Sequence, residues 1–218
     1  MIALLADALK GYRGRIYIVG GAVRDEIMGR ETFDTDICVE GSSFDAAATL
    51  YNKGICPKPV YYPGCLVASV LIGGKRVDIA SCRREEYSPK SRTPIKVEPA
   101  PLSEDVLRRD FTVNALYKDL FTGEIIDFVG GRDDIDAKII RTVIDPEVSF
   151  DRDPLRMVRC LRFAATLGFD TDPEAFAALK RCRDRLKIVP KNKINEETIR
   201  FAHTPEGKAL IAESGLPL

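Results

Sequence analysis

The sequence predicts an α+β protein in which a strand-rich first part is followed by an all-helical second part. Short apolar runs separated by glycine turns fill the chain up to about residue 149. Beyond residue 150 the apolar residues follow a helical spacing, and Asp-Pro pairs start the segments. With 218 residues, 45% of them hydrophobic, the chain can form one large domain or two small ones. We therefore expect two domains, 1–149 and 150–218.

Each predicted element depends on local periodicity and on the residues that end it. Gly73-Gly74, between two apolar runs, predicts a β-hairpin. Four prolines and several basic residues in segment 85–101 predict a mobile loop. The expected strands are 15–19, 35–39, 66–72, 75–80, 111–117 and 124–128. The expected helices are 22–28, 43–53, 154–167, 173–183, 191–202 and 205–214, with Asp153 and Asp172 as N-caps of the third and fourth.

Composition excludes several classes of protein. No run approaches about 20 consecutive apolar residues, so we expect no membrane partner and no membrane-spanning segment. The start of the chain, 1–14, lacks the basic end and apolar block of a signal peptide. Six scattered cysteines and one histidine offer no zinc-ligand spacing, and they indicate reduced thiols in a cytoplasmic protein.

The charge balance is neutral overall but uneven along the chain. Residues 1–149 carry 20 basic and 23 acidic side chains, whereas residues 150–200 carry 12 and 8. An acidic part followed by a basic part is typical of a metal-dependent site beside an anion-binding surface. Ordinary solvated surface charge is the alternative interpretation.

A glycine turn lies where the first predicted strand gives way to a helix. Gly20 and Gly21 would let backbone N–H groups approach an anion, and a helix N-terminus favours negative charge. Arg24, one helical turn further, could bind phosphate oxygens with its forked guanidinium. Two glycines in a turn are common, so this signal is weak alone.

Two carboxylates occupy alternate positions of the second predicted strand. Asp34 and Asp36 point to the same face because they are two residues apart. Such carboxylates would repel each other without a cation, and Mg²⁺ prefers oxygen ligands of this kind. Asp78, on a later strand, could supply a third carboxylate. A solvent-facing acidic pair at a strand edge is the alternative.

Five segments in order resemble one family closely. They are IYIVGGAVRDEIMGRETFDTDICVEG, VDIASCRREEY, LRRDFTVNALY, IDFVGGRDDIDAKIIRTVIDPEVSF and DRDPLRMVRCLRFAATLGF, spanning residues 16–169. The chain is identified as a member of the class II tRNA nucleotidyltransferases, or CCA-adding enzymes, and bacterial poly(A) polymerases. The resemblance implies a nucleotidyltransferase head of the DNA polymerase beta type at 1–149, with a mixed β-sheet flanked by helices. It implies an all-helical neck at 150–218 that carries the motif recognising the nucleotide base.

The resemblance also implies roles for the acidic and glycine positions. Gly20, Gly21 and Arg24 would hold the triphosphate of the incoming nucleotide. Asp34 and Asp36 would bind two Mg²⁺ ions, and Asp78 matches the third acidic position of the family. One ion would assist deprotonation of the RNA 3′-hydroxyl, and the other would neutralise the leaving pyrophosphate.

Further motif positions would contact the ribose and the base. Arg109 and Asp110 match the family's ribose motif, where a carboxylate can accept the 2′-hydroxyl proton, and Asn114 would brace them. Asp153 and Arg156 match the pair that acts as a protein template for the base. A carboxylate accepts from the amino group of cytosine or adenine and a guanidinium donates to the ring nitrogen, so ATP and CTP are the expected substrates.

Arg156, Arg159 and Arg162 recur every three residues and would share one helix face. A stripe of this spacing is usually a solvated face. Because this stripe follows Asp153 and would border the site, we expect it to bind an anion, the nucleotide.

The chain departs from the family pattern at three points. Arg152 precedes Asp153 where the family commonly has Glu, which affects the expected base contacts. Lys193 stands where Arg is usual, in a helix whose Glu197 we interpret as structural. The sequence also stops where relatives continue into further helical domains. We therefore expect a minimal enzyme, a truncated form, or a chain that works with a partner chain or as an oligomer.

The motifs and the family resemblance are compatible with three functions. The first is a Mg²⁺-dependent enzyme that adds C, A or both to the 3′ end of tRNA or a tRNA-like RNA. The second is a template-independent poly(A) polymerase with the same head. The third is a catalytically silent module that binds nucleotide or RNA, and the presence of the acidic residues argues against it.

Overall fold

The protein is described from a computed structural model that covers residues 1–32, 35–89 and 91–218. Its residues form two compact units. The first unit comprises Met1–Glu85, Val97–Arg108 and Asn114–Val129, and the second comprises Glu86–Lys96, Arg109–Val113 and Gly130–Leu218. These units divide the chain at other points than residue 149, and the predicted domain boundary there stays a prediction.

A seven-stranded mixed sheet forms the centre of the first unit. Its strands, in chain order, are β1 (Ile16–Val19), β2 (Asp36–Val39), β3 (Val60–Tyr62), β4 (Val67–Ile72), β5 (Lys75–Ser81), β8 (Tyr117–Asp119) and β9 (Ile125–Ile126). They lie side by side in the order β3-β4-β5-β2-β1-β8-β9. Only β2 and β5 are parallel, and the other neighbours are antiparallel. The predicted mixed sheet is therefore confirmed.

The central strands are short apolar runs in the sequence because both faces of each strand are covered. All four residues of β1 are buried, and so are the last three of β2. The hairpin between β4 and β5 turns at Gly73 and Gly74, whose φ angles of 57° and 78° require the left-handed region. The predicted hairpin is confirmed, and it sets the register that aligns Asp78 with Ser69.

Four helices accompany this sheet. They are α1 (Ile2–Ala8), α2 (Gly21–Ile27), α3 (Ser43–Asn52) and α4 (Leu102–Asp105). Helix α3 begins where predicted, because the Ser42 hydroxyl accepts the Asp45 N–H. Ala46, Ala47 and Leu50 of α3 are fully buried.

The second unit is mainly helical. Its helices are α5 (Gly131–Ala137), α6 (Pro146–Arg152), α7 (Leu155–Leu167), α8 (Pro173–Cys182), α9 (Lys191–Thr198) and α10 (Pro205–Ser214). A short parallel pair, β10 (Ile139–Ile140) and β11 (Asp170–Thr171), joins them. Asp172 caps α8 as predicted, since its carboxylate accepts the Ala175 N–H at 3.2 Å. The bounds of α10 agree with the prediction.

The predicted loop at 85–101 is wrong over most of its length. The structure has two strands there, β6 (Arg83–Ser88) and β7 (Ser91–Pro99), which pair as a two-stranded sheet. Proline is tolerated in such a ribbon because each strand has one edge that needs no hydrogen-bond partner. Arg84 and Glu98 also form an ion pair across it. The prolines therefore did not prevent strand formation.

The predicted strand at 111–117 is wrong except at its last residue. Residues Thr112–Asn114 form a short 3-10 turn, and the strand is β8. The whole segment 111–117 is buried, so its apolar run does not distinguish a strand from another buried conformation. The Thr112 hydroxyl instead bonds Asp134 at 2.6 Å, a contact that no local pattern reveals.

The predicted helix start at Asp153-Pro154 needs a correction of one residue. Helix α7 begins at Leu155, and Asp153 also ends the unpredicted helix α6. The Asp153 carboxylate nevertheless accepts the Leu155 N–H at 3.1 Å. Helix α6 has its own Asp-Pro start at Asp145, whose side chain accepts the Val148 N–H.

Among the described residues, no helix is both long enough and apolar enough to cross a membrane.

Candidate functional site

The glycine turn follows β1 directly. Gly20 has a φ of 70° and precedes α2, which begins at Gly21. The Val23 and Arg24 N–H groups both bond the Gly20 carbonyl, so the turn is anchored to its own helix. A Cβ added at Gly20 would meet no atom within 4 Å, so the space above this turn is open. An anion could approach this backbone closely.

Arg24 is held inside the first unit. Only 7% of the residue is exposed. Its Nη1 donates to Asn114 Oδ1, and its Nε and Nη2 donate to Asp25 Oδ1. The structure therefore brings together two predicted site residues, Arg24 and Asn114. These hydrogen bonds fix the guanidinium one turn into α2.

Two of the three predicted carboxylates lie on neighbouring strands. Ile37 of β2 is level with Ile79 of the parallel strand β5, so Asp36 is level with Asp78. Residues at level positions of adjacent strands point to the same face. Asp78 Oδ1 also accepts the Ser69 hydroxyl of β4 at 2.6 Å. Asp34 lies outside the described residues.

The guanidinium group of Arg76 lies against this acidic pair. Arg76 Nε and Nη2 donate to the two oxygens of Asp78, both at 2.9 Å. Hydrogen bonding and attraction to Asp78 raise the pKa of Arg76, with smaller contributions from Tyr62 and Asp36. The Arg76 side chain is 64% exposed, so it can move away from the carboxylates at small cost. No motif marks Arg76 in the sequence, although its position two residues before Asp78 is a usable signal.

The donor set at Asp36 and Asp78 fits a hard divalent cation. Both residues offer carboxylate oxygens, and Mg²⁺ prefers such ligands with some positions left to water and substrate. A second group of potential ligands, Cys38, Cys82 and Asp105, is fully buried in the same unit. Its thiols are soft ligands, and Asp105 already accepts from the Tyr117 hydroxyl and from Arg108. We assign this second group to the core rather than to a magnesium site.

Asp110 and Arg159 form a half-buried ion pair in the second unit. The Arg159 Nε donates to Asp110 Oδ2 at 2.9 Å, and the Phe111 N–H donates to Oδ1 at 2.8 Å. Burial raises the pKa of Asp110, but Arg159, Arg156 and these hydrogen bonds outweigh it and lower the pKa to about 2. Asp110 is therefore ionised at neutral pH and remains a hydrogen-bond acceptor.

Arg159 and Arg162 share one acidic partner. Glu197 of α9 lies 3.4 Å from Arg159 Nη1 and 2.5 Å from Arg162 Nε. Arg162 also lies over the Phe163 ring, 4.0 Å from its centroid. Arg159 and Arg162 of the predicted stripe thus contact a carboxylate of their own unit, which supports the structural role expected of Glu197. Lys193, one of the family departures, pairs with Glu196 on the same helix.

Asp153 is held by a residue that the sequence analysis missed. Arg92 of β7 donates from Nε and Nη2 to the two oxygens of Asp153, at 2.8 and 3.1 Å. This bidentate pairing, together with the Leu155 N–H, fixes the plane of the carboxylate. Arg92 was missed because its segment was interpreted as a loop, and 61 residues separate it from its partner.

Arg156, the other predicted template residue, is buried in the same unit. Its Nη1 donates to the Ser149 hydroxyl of α6 at 2.9 Å, and 5% of the residue is exposed. Arg109, of the predicted ribose motif, belongs to this unit and is half-buried. The predicted residues therefore divide between the units. Gly20, Gly21, Arg24, Asp36, Asp78 and Asn114 lie in the first, and Arg109, Asp110, Asp153, Arg156, Arg159 and Arg162 lie in the second.

Comparison with known proteins identifies the same family. Residues 16–141 match the model of the poly A polymerase head domain. The A-adding tRNA nucleotidyltransferase of Aquifex aeolicus is 40% identical over 189 residues, covering 84% of this chain and 22% of that protein. The CCA-adding enzyme of Bacillus pumilus is 38% identical over 192 residues, covering 87% of this chain and 46% of that protein.

A solved structure has the same fold. The CCA-adding enzyme of Bacillus stearothermophilus in complex with CTP superimposes with a TM-score of 0.82 and 32% identity, covering 97% of this chain and 51% of that one. This chain thus spans about half the length of the CCA-adding enzymes that it matches, and less of the Aquifex protein. The chain belongs to the family of tRNA nucleotidyltransferases and bacterial poly(A) polymerases.

Proposed function

We propose that this protein is an RNA nucleotidyltransferase that adds C, A or both to the 3′ end of tRNA or a tRNA-like RNA. The substrates are CTP and ATP, and pyrophosphate is released. The observation that carries this proposal is the level placement of Asp36 and Asp78 on parallel strands, directly beside the Gly20 turn. The relatives that share this part of the chain are CCA-adding and A-adding enzymes.

Nucleotidyltransferases of this family generally depend on a divalent metal. We propose Mg²⁺ as the cofactor here, with Asp34 and Asp36 as its ligands and Asp78 as the third acidic residue of the site. A bound Mg²⁺ would supply charge neutralisation at the reacting phosphate. The role of Arg76 is then to neutralise Asp78 when no metal is bound, and its exposure makes that contact readily reversible.

The triphosphate would bind at the glycine turn. Gly20 provides an open backbone surface next to β2 that the phosphates could approach, and the Arg24 guanidinium lies 3.3 Å from where a Cβ on Gly21 would stand. Arg24 supports this turn from inside the unit through Asn114 and Asp25. Because Asp25 pairs with Arg24, the guanidinium contributes here by holding the turn in place.

Base selection would depend on Asp153 and Arg156. The carboxylate of Asp153 accepts from the amino group of cytosine or adenine, and the guanidinium of Arg156 donates to the ring nitrogen. Guanine and uracil present the reverse pattern and would leave these polar groups mispaired, which is strongly unfavourable in a buried site. Arg92 orients Asp153, and Ser149 orients Arg156.

Ribose selection would depend on Asp110. Because its pKa is about 2, the carboxylate is ionised at neutral pH and can accept the 2′-hydroxyl of a ribonucleotide. Arg109, Arg159 and Arg162 would complete the positive surroundings of the nucleotide. We also propose a cytoplasmic location, where tRNA is processed, and a partner chain or oligomer that supplies further RNA contacts.

A poly(A) polymerase is the second candidate, because the family model that matches residues 16–141 is that of the poly A polymerase head. Labelled CTP and ATP, supplied singly and together to tRNAs trimmed by one, two or three 3′ nucleotides, distinguish the two. We expect addition that stops at the CCA end or within it. A long adenosine tail from ATP alone would favour the second candidate.

The same assay tests whether the protein is an enzyme at all. An absence of incorporation with every nucleotide and every trimmed tRNA, in the presence of Mg²⁺, would contradict the proposal. Nucleotide binding without incorporation would then indicate a silent binding module.

A further inference from the structure

Several side chains on one face of the sheet beside the acidic pair are exposed, although Ser69 between them is buried. Strand register places Val60 of β3 level with Ser69 of β4, and Ser69 level with Asp78 of β5. These residues point to the same face, as the Ser69–Asp78 hydrogen bond confirms. Tyr62 lies two residues from Val60, and Leu71 lies two residues from Ser69, so both share this face.

This surface, which we call the β3–β4 face, is apolar and exposed. The exposed fractions of Val60, Tyr62 and Leu71 are 54%, 41% and 48%. The opposite face is different, because Ala68 and Val70 of β4 are buried there and Tyr61 packs against Phe44 of α3 with the ring centroids 5.3 Å apart. Exposed apolar residues grouped on one face commonly mark a binding surface.

The order of the strands indicates which ligand would bind this face. The glycine turn follows β1, which lies on one side of β2, and Asp78, β4 and β3 lie on the other side. In phosphoryl transfer the attacking and leaving oxygens lie roughly in line, on opposite sides of the phosphorus. If the leaving pyrophosphate lies at the glycine turn, the attacking hydroxyl must approach from the side of Asp78 and β4.

We propose that the β3–β4 face binds the 3′-terminal nucleosides of the RNA acceptor, with a base stacked on Tyr62 and the sugar or a second base packed on Val60 and Leu71. This inference rests on the proposed nucleotidyltransferase function and assigns it an acceptor subsite. The exposed Arg76, beside Leu71 in the register, would contact the RNA backbone once a metal occupies the carboxylates.

Stacking suits an acceptor whose end changes during the reaction. Each addition replaces the terminal base, so the subsite must accept different bases in turn. Every base presents an aromatic face, and stacking on tyrosine is therefore tolerant of sequence. Hydrogen-bonding side chains would discriminate among these ends, and the β3–β4 face offers mainly apolar side chains.

Tyr62→Ala tests the proposal, with Tyr61→Ala as its matched control. The two tyrosines are neighbours on β3, are exposed to similar extents and point to opposite faces. We expect Tyr62→Ala to raise the KM for the trimmed tRNA about tenfold, within the range measured for loss of one base–aromatic stack. The KM for CTP or ATP stays unchanged, and Tyr61→Ala leaves both KM values unchanged.

Two further variants separate stacking from folding. Tyr62→Phe keeps the ring and retains RNA affinity, whereas Leu71→Glu places a negative charge on the exposed face and weakens RNA binding. Affinity for the trimmed tRNA without nucleotide, measured by fluorescence anisotropy, reports the acceptor subsite directly, and the unfolding temperature shows whether each variant folds.

The outcomes distinguish the subsite from the proposed function. If the wild-type protein adds nucleotides but Tyr62→Ala and Leu71→Glu bind RNA normally, the subsite is wrong and the function stands. An equal loss in Tyr61→Ala and Tyr62→Ala also overturns the subsite. If the wild-type protein adds no nucleotide, the proposed function itself fails.

Discussion

The two units treat their charged site residues differently. In the first unit, Asp78 is 35% exposed and its arginine partner, Arg76, is 64% exposed. In the second unit, Asp110 and Glu197 are each 13% exposed, and Arg159, which contacts both, is 31% exposed. The Asp78–Arg76 pair of the first unit therefore stays accessible to a ligand, whereas Asp110 and Glu197 of the second unit are enclosed with their arginines.

This difference predicts which substitutions affect catalysis and which affect folding. An exposed carboxylate contributes little to folding, so its removal should affect catalysis alone. A buried ion pair that loses one partner leaves an uncompensated charge in the protein interior. Substitutions of Asp110 and its arginine partner should therefore affect folding as well as nucleotide selection.

The largest effect is expected from Asp36→Ala. Loss of a metal ligand removes several kcal/mol of stabilisation from the transition state, so incorporation should fall by about a thousandfold or more. Because Asp36 is exposed, the unfolding temperature should not change. Single-nucleotide incorporation and a thermal melt measure both quantities, and activity near the wild-type level would contradict the proposed metal site. Asp7→Ala, which removes an exposed carboxylate of the same unit, is the control and keeps full activity.

The next largest effect is expected from Asp110→Asn, which should lower the free energy of unfolding by about 3 kcal/mol at pH 7. Arg159 loses the charge that compensates its burial, although Glu197 remains as a partner. Denaturant titrations of both proteins measure the difference. A free energy of unfolding equal to that of the wild type would show that the charge of Asp110 contributes to ligand binding and not to folding.

The same variant gives a pH test. The pKa of Asp110 is lowered from 3.8 to about 2 in the folded protein, so its stabilising contribution is fully present above pH 3.8. That contribution is lost as the pH falls through about 2. The stability difference between wild type and Asp110→Asn should therefore narrow below pH 4, and a difference that is constant down to pH 2.5 would be inconsistent with the lowered pKa.

A smaller effect is expected from Arg92→Ala. Asp153 would lose its bidentate partner, and we expect kcat/KM for CTP and ATP to fall about tenfold, as for other residues that orient a catalytic group. Arg92→Lys should restore only part of the loss, because an ammonium group cannot pair with both oxygens. Lys96→Ala, on the same strand, is the control. Unchanged selection among the four nucleotides would remove Arg92 from the base-recognition group.

The smallest effect is expected from Arg181→Ala. Like Arg159, Arg181 contacts two carboxylates, those of Glu147 and Glu174, but all three side chains are at least half exposed. Water and salt screen such pairs, so the unfolding temperature should not change measurably. A loss as large as that of Asp110→Asn would show that burial is not what separates the two groups of charges.

Much of the fold was predictable because its signals are local. Gly73-Gly74 marked the hairpin, Asp172-Pro173 marked the start of α8, and apolar runs marked the central strands. The segment 111–117 was not predictable, since every residue in it is buried and periodicity cannot then distinguish a strand from a turn. The prolines of segment 85–101 similarly led to the prediction of a loop where β6 and β7 form a two-stranded sheet.

Some residues of the candidate site were likewise predictable from motifs, and others were not. Motif order predicted the carboxylates, the glycine turn and the template pair. It did not identify Arg92, whose link to Asp153 joins distant parts of the sequence, or the double role of Glu197 beneath Arg159 and Arg162. The exposure of Val60, Tyr62 and Leu71 was also invisible, because an apolar strand residue has the same local pattern whether or not it is covered.

The amino-acid sequence alone determined the family and the mixed sheet followed by helices, and it predicted the acidic residues of the candidate site. Those properties depend on residue types at short spacings. Only the tertiary structure decided which charges are neutralised within the protein and which are left for a ligand. Pairing and burial depend on strand register and helix packing, which bring together residues many positions apart.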